Sequence, residues 1–333
     1  MPLAENFRRQ VELLLRCVPF IAKETCFALK GGTAINLFFR DLPRLSVDID
    51  LTYVHVFPRA KSLGAIDKAM KRIAGRIEKG IKGARVTQTT AEGTVTKLFI
   101  QVGRVQVKVE VTPVMRGSAY EPETRSVTPA VEDAFGFAEM PVVSFADLYA
   151  GKIVAALDRQ HPRDFFDVRQ LLANEGITDE IRAAFIVYLL CHHRPMAEVL
   201  ASPPRDIRQK YGAEFVGMTE EDVSLDDLIA ARTALVQGIV GEMPAAHRRF
   251  LASFERGEPE WDLLGLPKVD KLPAIQWRLQ NLDKITKNKR AELVAQLEQV
   301  LGLDVTPAQL TLMPEKSAPT KKRSRTRRTR QSE

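Results

Sequence analysis

The sequence predicts a mixed α/β domain, residues 1–175, followed by an all-α domain, residues 176–311, and a disordered basic tail, residues 312–333. Three observations predict it. Short apolar segments alternate with helical-period segments through the first eighty or so residues, three consecutive segments between Arg85 and Val111 have a period of two, and the pattern after Gly176 is helical throughout.

Taken in order, Phe7, Val11, Leu14, Leu15 and Val18 mark one face of a first helix. Thr25 to Leu29 reads as a strand leading into Gly31-Gly32, Thr33 to Phe39 as a helix, and Asp41 to Ser46 as a loop broken by Pro43. Asp48 to Val54 is a second strand, and Ser62 to Lys79 a helix with a basic outer face. The meander follows as Arg85–Thr90, Val95–Val102 and Val105–Val111, with Gly103-Arg104 suited to a type II′ hairpin and Pro113 expected to close the last strand. Arg116 to Met140 has no clear period. Ser144-Phe-Ala-Asp147 reads as a capping box for a helix containing Lys152, and Pro162 suits the first turn of the next. Thr178–Cys191, Leu228–Val240, Ala245–Phe254 and Asn288–Leu301 complete the helical half.

The chain of 333 residues is long enough for two domains, and 45% hydrophobic against 27% charged residues excludes a disordered or fibrous chain. No apolar run reaches the ~20 residues that span a bilayer, so no membrane partner is expected. The amino terminus lacks a signal-peptide layout, and three scattered cysteines, Cys17, Cys26 and Cys191, argue for reduced thiols in a cytoplasm. The net charge is +7. Eight basic residues from Lys316 onward against the single acid Glu333 carry all of it, which leaves the globular body close to neutral.

Asp48 and Asp50, two apart on a strand, point to one face, while Ile49 and Leu51 point to the other. If the strand carrying Glu110 lies alongside, three carboxylates converge. Such oxygen ligands suit Mg²⁺ or Mn²⁺, and two ions about 3.5–4 Å apart would clamp both the attacking and the leaving oxygen of a phosphoryl transfer. On its own, Asp-Ile-Asp fits the exposed side of a half-buried strand equally well. Gly31-Gly32-Thr33 before a helix lets backbone N–H groups approach a phosphate, although a simple turn has the same residues. Lys152, beside a run of apolar residues, could balance a triphosphate. Asp164 and Asp167 share a helical face, where Asp167 would position Lys152 or form a helix–helix salt bridge.

Together, GGTAINLFFR…SVDIDL, KVEVTPVMRG and SFADLYAGKIVAALDRQHPRDFFDV resemble, in order and spacing over residues 27–190, the AbiEii/AbiGii-type toxin family of nucleotidyltransferases. The resemblance implies a polymerase-β-like nucleotidyltransferase lobe followed by a helical domain. It also implies an effector of a type IV toxin–antitoxin or phage-defence pair with a separately encoded antitoxin, acting on an NTP and an RNA, with the tRNA 3′ end as the expected acceptor. Ser46, Asp48, Asp50, Lys152 and Asp167 match the family's motif residues, and Glu110 matches a third carboxylate more loosely. Thr33 departs from the Gly-Ser pair of the wider superfamily but keeps a hydroxyl.

The expected site is therefore Asp48, Asp50, Lys152 and Asp167 as catalytic residues, Gly31, Gly32, Thr33, Ser46 and Lys152 around the nucleotide, and Asp48, Asp50 and Glu110 around the metal. Two other readings stay open: nucleotidylation of a partner protein, and a non-catalytic member that binds RNA or an antitoxin. Cys191-His192-His193 has no second pair at zinc spacing and reads as a helix end, with no proton-transfer role expected for His161. Trp261 and Trp277 are expected to pack the carboxyl-terminal helices, although an exposed tryptophan could stack on a base. The tail can grip RNA electrostatically.

Overall fold

In the computed structural model, residues 5–303 are described; the expected tail, 312–333, lies outside them. The first helix, α1 (Glu5–Ile21), leads to strand β1 (Phe27–Lys30), the short helix α2 (Gly31–Ala34) and a wider π turn over Ile35–Phe39. Then come β2 (Asp48–Tyr53), α3 (Arg59–Gly80) and the meander β3 (Ala84–Ala91), β4 (Thr94–Val102) and β5 (Val105–Arg116). β6 (Glu123–Ser126), α4 (Pro129–Phe135) and β7 (Glu139–Val142) complete a seven-stranded mixed sheet of order β3-β4-β5-β2-β1-β7-β6.

β2 pairs antiparallel with β1 and parallel with β5, so the acidic strand is central. Ile49, Leu51, Val107, Val109, Leu98 and Ile100 are buried, and α1 and α3 pack against this apolar side of β5 and β4. The opposite side carries the polar residues of the same strands, as period-two alternation requires. Gly103 has φ +60° and Arg104 does not share the left-handed region, the backbone of the expected type II′ turn.

A hairpin of helices follows, α5 (Phe145–Asp158) and α6 (Pro162–Asn174). Ser144 Oγ accepts from Asp147 N at 3.0 Å, half of the expected capping box. The Asp147 carboxylate turns instead to Ala119 N and Tyr120 N, at 2.7 and 3.0 Å. The helical half comprises α7 (Asp179–Leu190), α8 (Met196–Leu200), α9 (Arg208–Glu214), α10 (Leu225–Val236), α11 (Ala245–Arg256), α12 (Pro273–Lys284) and α13 (Lys287–Leu301). Buried apolar residues form one continuous cluster from Val11 to Leu301, so this half packs directly on the sheet-bearing half.

Several expectations need correction. β5 does not end at Pro113 but runs to Arg116, because the β2–β5 register shifts between Leu51 and Tyr53 and places Pro113 in a bulge, where its missing N–H breaks no ladder bond. The stretch without a period holds β6, α4 and β7. Its strands are four residues each, too short for a pattern to show. Trp261 packs on Phe250 and Phe254 as expected, with ring centroids 5.4 and 6.1 Å away. Trp277 does not: it is 59% exposed and lines a cavity of about 400 Å³ with Val114 and Arg278.

Candidate active site

The site grows from the register of four strands. Lys30 on β1 faces Asp50 on β2, Asp50 faces Glu110 on β5, and Glu110 faces Lys97 on β4. Cross-strand partners share a face, so these four form one row of charges in the order plus, minus, minus, plus. The next row pairs Asp48 with Lys108. Lys108 Nζ lies 3.4 Å from Asp48 Oδ2 and 3.1 Å from Glu110 Oε2, and Lys97 Nζ lies 3.0 Å from Glu110 Oε1.

These neighbours set the charge states. Burial raises the Asp50 carboxyl above the ordinary aspartate range; Lys30 opposes this and the adjacent Asp48 adds to it. Burial also works to raise Glu110, but hydrogen bonds from Lys97 and Lys108 outweigh it and hold this carboxyl low. Lys30 is lowered by burial, against the pull of Asp50 and Glu110.

The α2 turn lies directly on this face. Gly31 has φ +77°, and a Cβ there would stand 2.7 Å from Asp50 Oδ2. Both the backbone conformation and the close approach therefore require glycine. A Cβ on Gly32 would meet Arg44 Nη2 at 2.7 Å and Ser46 Oγ at 2.9 Å. Thr33 Oγ1 lies 3.0 Å from Ser46 Oγ and donates to the Asp48 carbonyl, and Asn36 Nδ2 donates to Gly32 O at 2.7 Å. The threonine hydroxyl thus ties the turn to the start of the acidic strand.

The expected second half is a buried charge network. Lys152, 8% exposed, donates to Asp164 Oδ1 at 2.9 Å and lies 2.8 Å from Asp167 Oδ2. Asp164 and Asp167 share a helical face, as their spacing requires. Asp167 also accepts two bonds of 2.6 Å from Arg44 Nε and Nη2, and Asp164 accepts from Arg159 Nε and Nη2 at 2.6 and 2.9 Å. Burial works to raise both aspartates. Arg44 then Lys152 hold Asp167 below the ordinary range, and Lys152 then Arg159 do the same for Asp164.

The structure thus brings Gly31, Gly32, Thr33, Ser46, Asp48, Asp50 and Glu110 to one side of the sheet, and Arg44 joins them to Asp167 and Lys152. Lys152 and Asp167 are buried partners of each other, with Lys152 committed to two carboxylates. Arg159, whose side chain is 61% exposed, is the open cation of this network, and the Asp50 charge is felt at its guanidinium. Arg44, Lys108, Lys97 and Arg159 were not singled out from the sequence. Arg44 sits two residues before Ser46 and Lys108 two before Glu110, the only signal they gave.

As for a metal, the sheet face offers two carboxylates on one strand, Asp50 held against the glycine turn and Asp48 with the Lys108 ammonium already drawn to it. That donor set fits a divalent cation at Asp48 and Asp50. Glu110 is in register but engaged by two lysines, and among the described residues no three histidine, cysteine, aspartate or glutamate side chains form a ligand group. His161 Nδ1 accepts from Arg163 N at 3.2 Å and its Nε2 lies 2.9 Å from Glu214, a helix cap. His192 ends α7 facing Asp158 at 3.4 Å. No helix among the described residues is long and apolar enough to cross a membrane.

A family model described as nucleotidyl transferase AbiEii toxin, type IV TA system, matches residues 12–281. Among solved structures, the chain is similar to MenT4, a nucleotidyltransferase toxin of Mycobacterium tuberculosis H37Rv. The TM-score is 0.57 at 14% identity, over 83% of this chain and 93% of that one, a likeness of fold. No curated protein matches in sequence.

Proposed function

We propose that this chain, which belongs to the AbiEii family of nucleotidyltransferase toxins of type IV toxin–antitoxin systems, transfers a nucleotidyl group from an NTP to the 3′ end of an RNA, with tRNA as the preferred acceptor. The observation that carries this reading is the placement of Asp50 against Gly31, where a Cβ would stand 2.7 Å from its Oδ2, which sets the Asp48–Asp50 strand beside a glycine turn that enters a helix.

Asp48 and Asp50 would hold Mg²⁺ or Mn²⁺. Such an ion, when bound, neutralises charge on the α-phosphate and the leaving pyrophosphate. The Gly31 and Gly32 backbone lies beside the phosphates, and Ser46 and Thr33 fix that turn through their paired hydroxyls. Arg159 reaches the triphosphate from the α5–α6 side, held in place by the fork it makes with Asp164. Lys152 and Asp167 act from beneath: they brace Arg44, which supports Gly32. The acceptor hydroxyl oxygen bonds to the α-phosphorus, the bond to the bridging oxygen breaks, pyrophosphate leaves, and the hydroxyl proton passes to solvent. Positioning and electrostatics supply the acceleration. A separately encoded antitoxin accompanies the family; binding to it is a further part of the proposal.

The acceptor is tested with labelled NTP and two batches of tRNA, one with its 3′-terminal diol oxidised by periodate. Label on intact tRNA and none on oxidised tRNA is expected. Equal label on both would remove the 3′ end as acceptor, and label on protein would transfer the reaction to a protein hydroxyl.

A further inference from the structure

The acidic strand raises a question of charge. A two-ion centre gathers an excess of carboxylates, because two divalent cations bring four positive charges to one spot. This sheet face has no such excess. Its three acids, Asp48, Asp50 and Glu110, stand among three lysines, Lys30, Lys97 and Lys108, each on a neighbouring strand or in the adjoining register position. Moreover, both oxygens of Glu110 are taken, Oε1 by Lys97 and Oε2 by Lys108. To act as a metal ligand, Glu110 would have to give up its ion pair with Lys97 or with Lys108.

We propose that Lys108 takes the place of a second metal ion, so that the site holds one divalent cation, at Asp48 and Asp50, and uses the Lys108 ammonium as its other positive charge. The inference rests on the nucleotidyl-transfer reading given above. Lys108 Nζ lies between Asp48 and Glu110, 3.4 and 3.1 Å from their oxygens, where a bridging cation would sit. It is oriented from both sides: Glu110 draws it along β5, and Asp48 draws it across to β2. A divalent ion entering between the same two carboxylates meets the like charge of this ammonium and gains no third ligand.

The two cations differ in chemistry. An ammonium is a compact charge with three N–H donors. It can donate to a phosphate oxygen of the nucleotide, but it has no empty coordination position to take the acceptor hydroxyl and acidify it. Glu110 then serves as a positioning residue for Lys108 instead of a metal ligand.

The test is a count of bound Mn²⁺ by electron paramagnetic resonance on the full chain, saturated with a non-hydrolysable NTP analogue. One Mn²⁺ per chain is expected in the parent, and two in Lys108→Met and Lys108→Gln, which free Asp48 and one oxygen of Glu110. Lys108 is partly exposed, at 29%, on the polar face of the sheet, so neither variant disturbs the apolar core. Two ions in the parent would overturn the inference and leave the nucleotidyl-transfer reading intact. A count that stays at one in both variants would also overturn it, since Lys108 would then not be what excludes the second ion. A parent count unchanged by Asp48→Asn would instead sink the metal reading of Asp48 and Asp50, and the inference with it.

Discussion

Arg44 and Asp167, 123 residues apart, meet in a two-bond fork, with Nε and Nη2 each 2.6 Å from one carboxylate oxygen and both side chains buried. This fork is the joint between the two halves of the site. Arg44 supports Gly32 on one side, and Asp167 carries Lys152 on the other. Leu45 N donates to Met218 O at 2.9 Å and Arg44 pairs with Thr219 in an isolated bridge, so the helical half pins the same loop.

Breaking the fork leaves a buried charge uncompensated, which costs about 3–5 kcal/mol. Arg44→Ala and Asp167→Ala are therefore expected to lower unfolding free energy by roughly that amount in urea titrations. A loss below about 1 kcal/mol would show that the loop is held by its backbone bridge instead.

Lys152 and Arg159 are expected to differ in kind. Lys152→Met removes a buried cation shared by two carboxylates and should cost stability of the same size as the fork. Arg159→Ala leaves Asp164 still paired with Lys152 but without its two outer hydrogen bonds, so its melting temperature should fall less than that of Lys152→Met, while KM for the NTP rises about tenfold, the worth of one charge-assisted hydrogen bond. Steady-state kinetics beside thermal melts separate the two; a KM unchanged in Arg159→Ala would remove it from the triphosphate.

The same network sets a pH dependence. Asp164 and Asp167 have folded pKa values depressed below their unfolded value of about 3.9, so their contribution is complete above that pH. It is lost as pH falls through the lower folded values. Melting temperature should decline below about pH 4, and less steeply in Asp164→Asn, which has one fewer carboxylate to protonate. Parallel curves would assign the acid loss to other groups.

Gln160 closes the α5–α6 turn at φ +50°, a conformation side chains rarely adopt. Its buried amide donates to Ser202 Oγ and Pro203 O and accepts from Arg205 N and Arg232 Nε. Gln160→Ala keeps the strained backbone and loses the anchors, so a loss of about 1–3 kcal/mol is expected by urea titration. Gln160→Gly, which relieves φ, should be the milder of the two.

How much of this was legible in the sequence follows from the physics of each residue. Strand alternation exposed Asp48, Asp50 and Glu110, because a period of two separates core from polar face within a few residues. The Gly31-Gly32 turn was visible for the same local reason. Lys152 and Asp167 were found, but a lysine on an apolar helix does not announce whether it faces a ligand or two aspartates; the structure shows the aspartates. Arg44 and Lys108 were missed because their roles arise from partners on other elements. The bulge that carries β5 past Pro113 depends on the β2 register, which no single strand encodes.

The tail, outside the described residues, is tested on its own. Deleting residues 312–333 should weaken RNA binding and flatten its salt dependence by roughly 0.7 units of slope for each phosphate the tail neutralises. An unchanged slope would reduce the tail to a solvated end.

The central claim is that Asp48 and Asp50 are where nucleotidyl transfer takes place. The most direct measurement incubates α-labelled NTPs, Mg²⁺ and total tRNA with the parent, Asp48→Asn and Asp50→Asn, and counts label on RNA. Label with the parent, and none above background with either variant, is the predicted result. Label that persists at the parent's rate in both variants would contradict it.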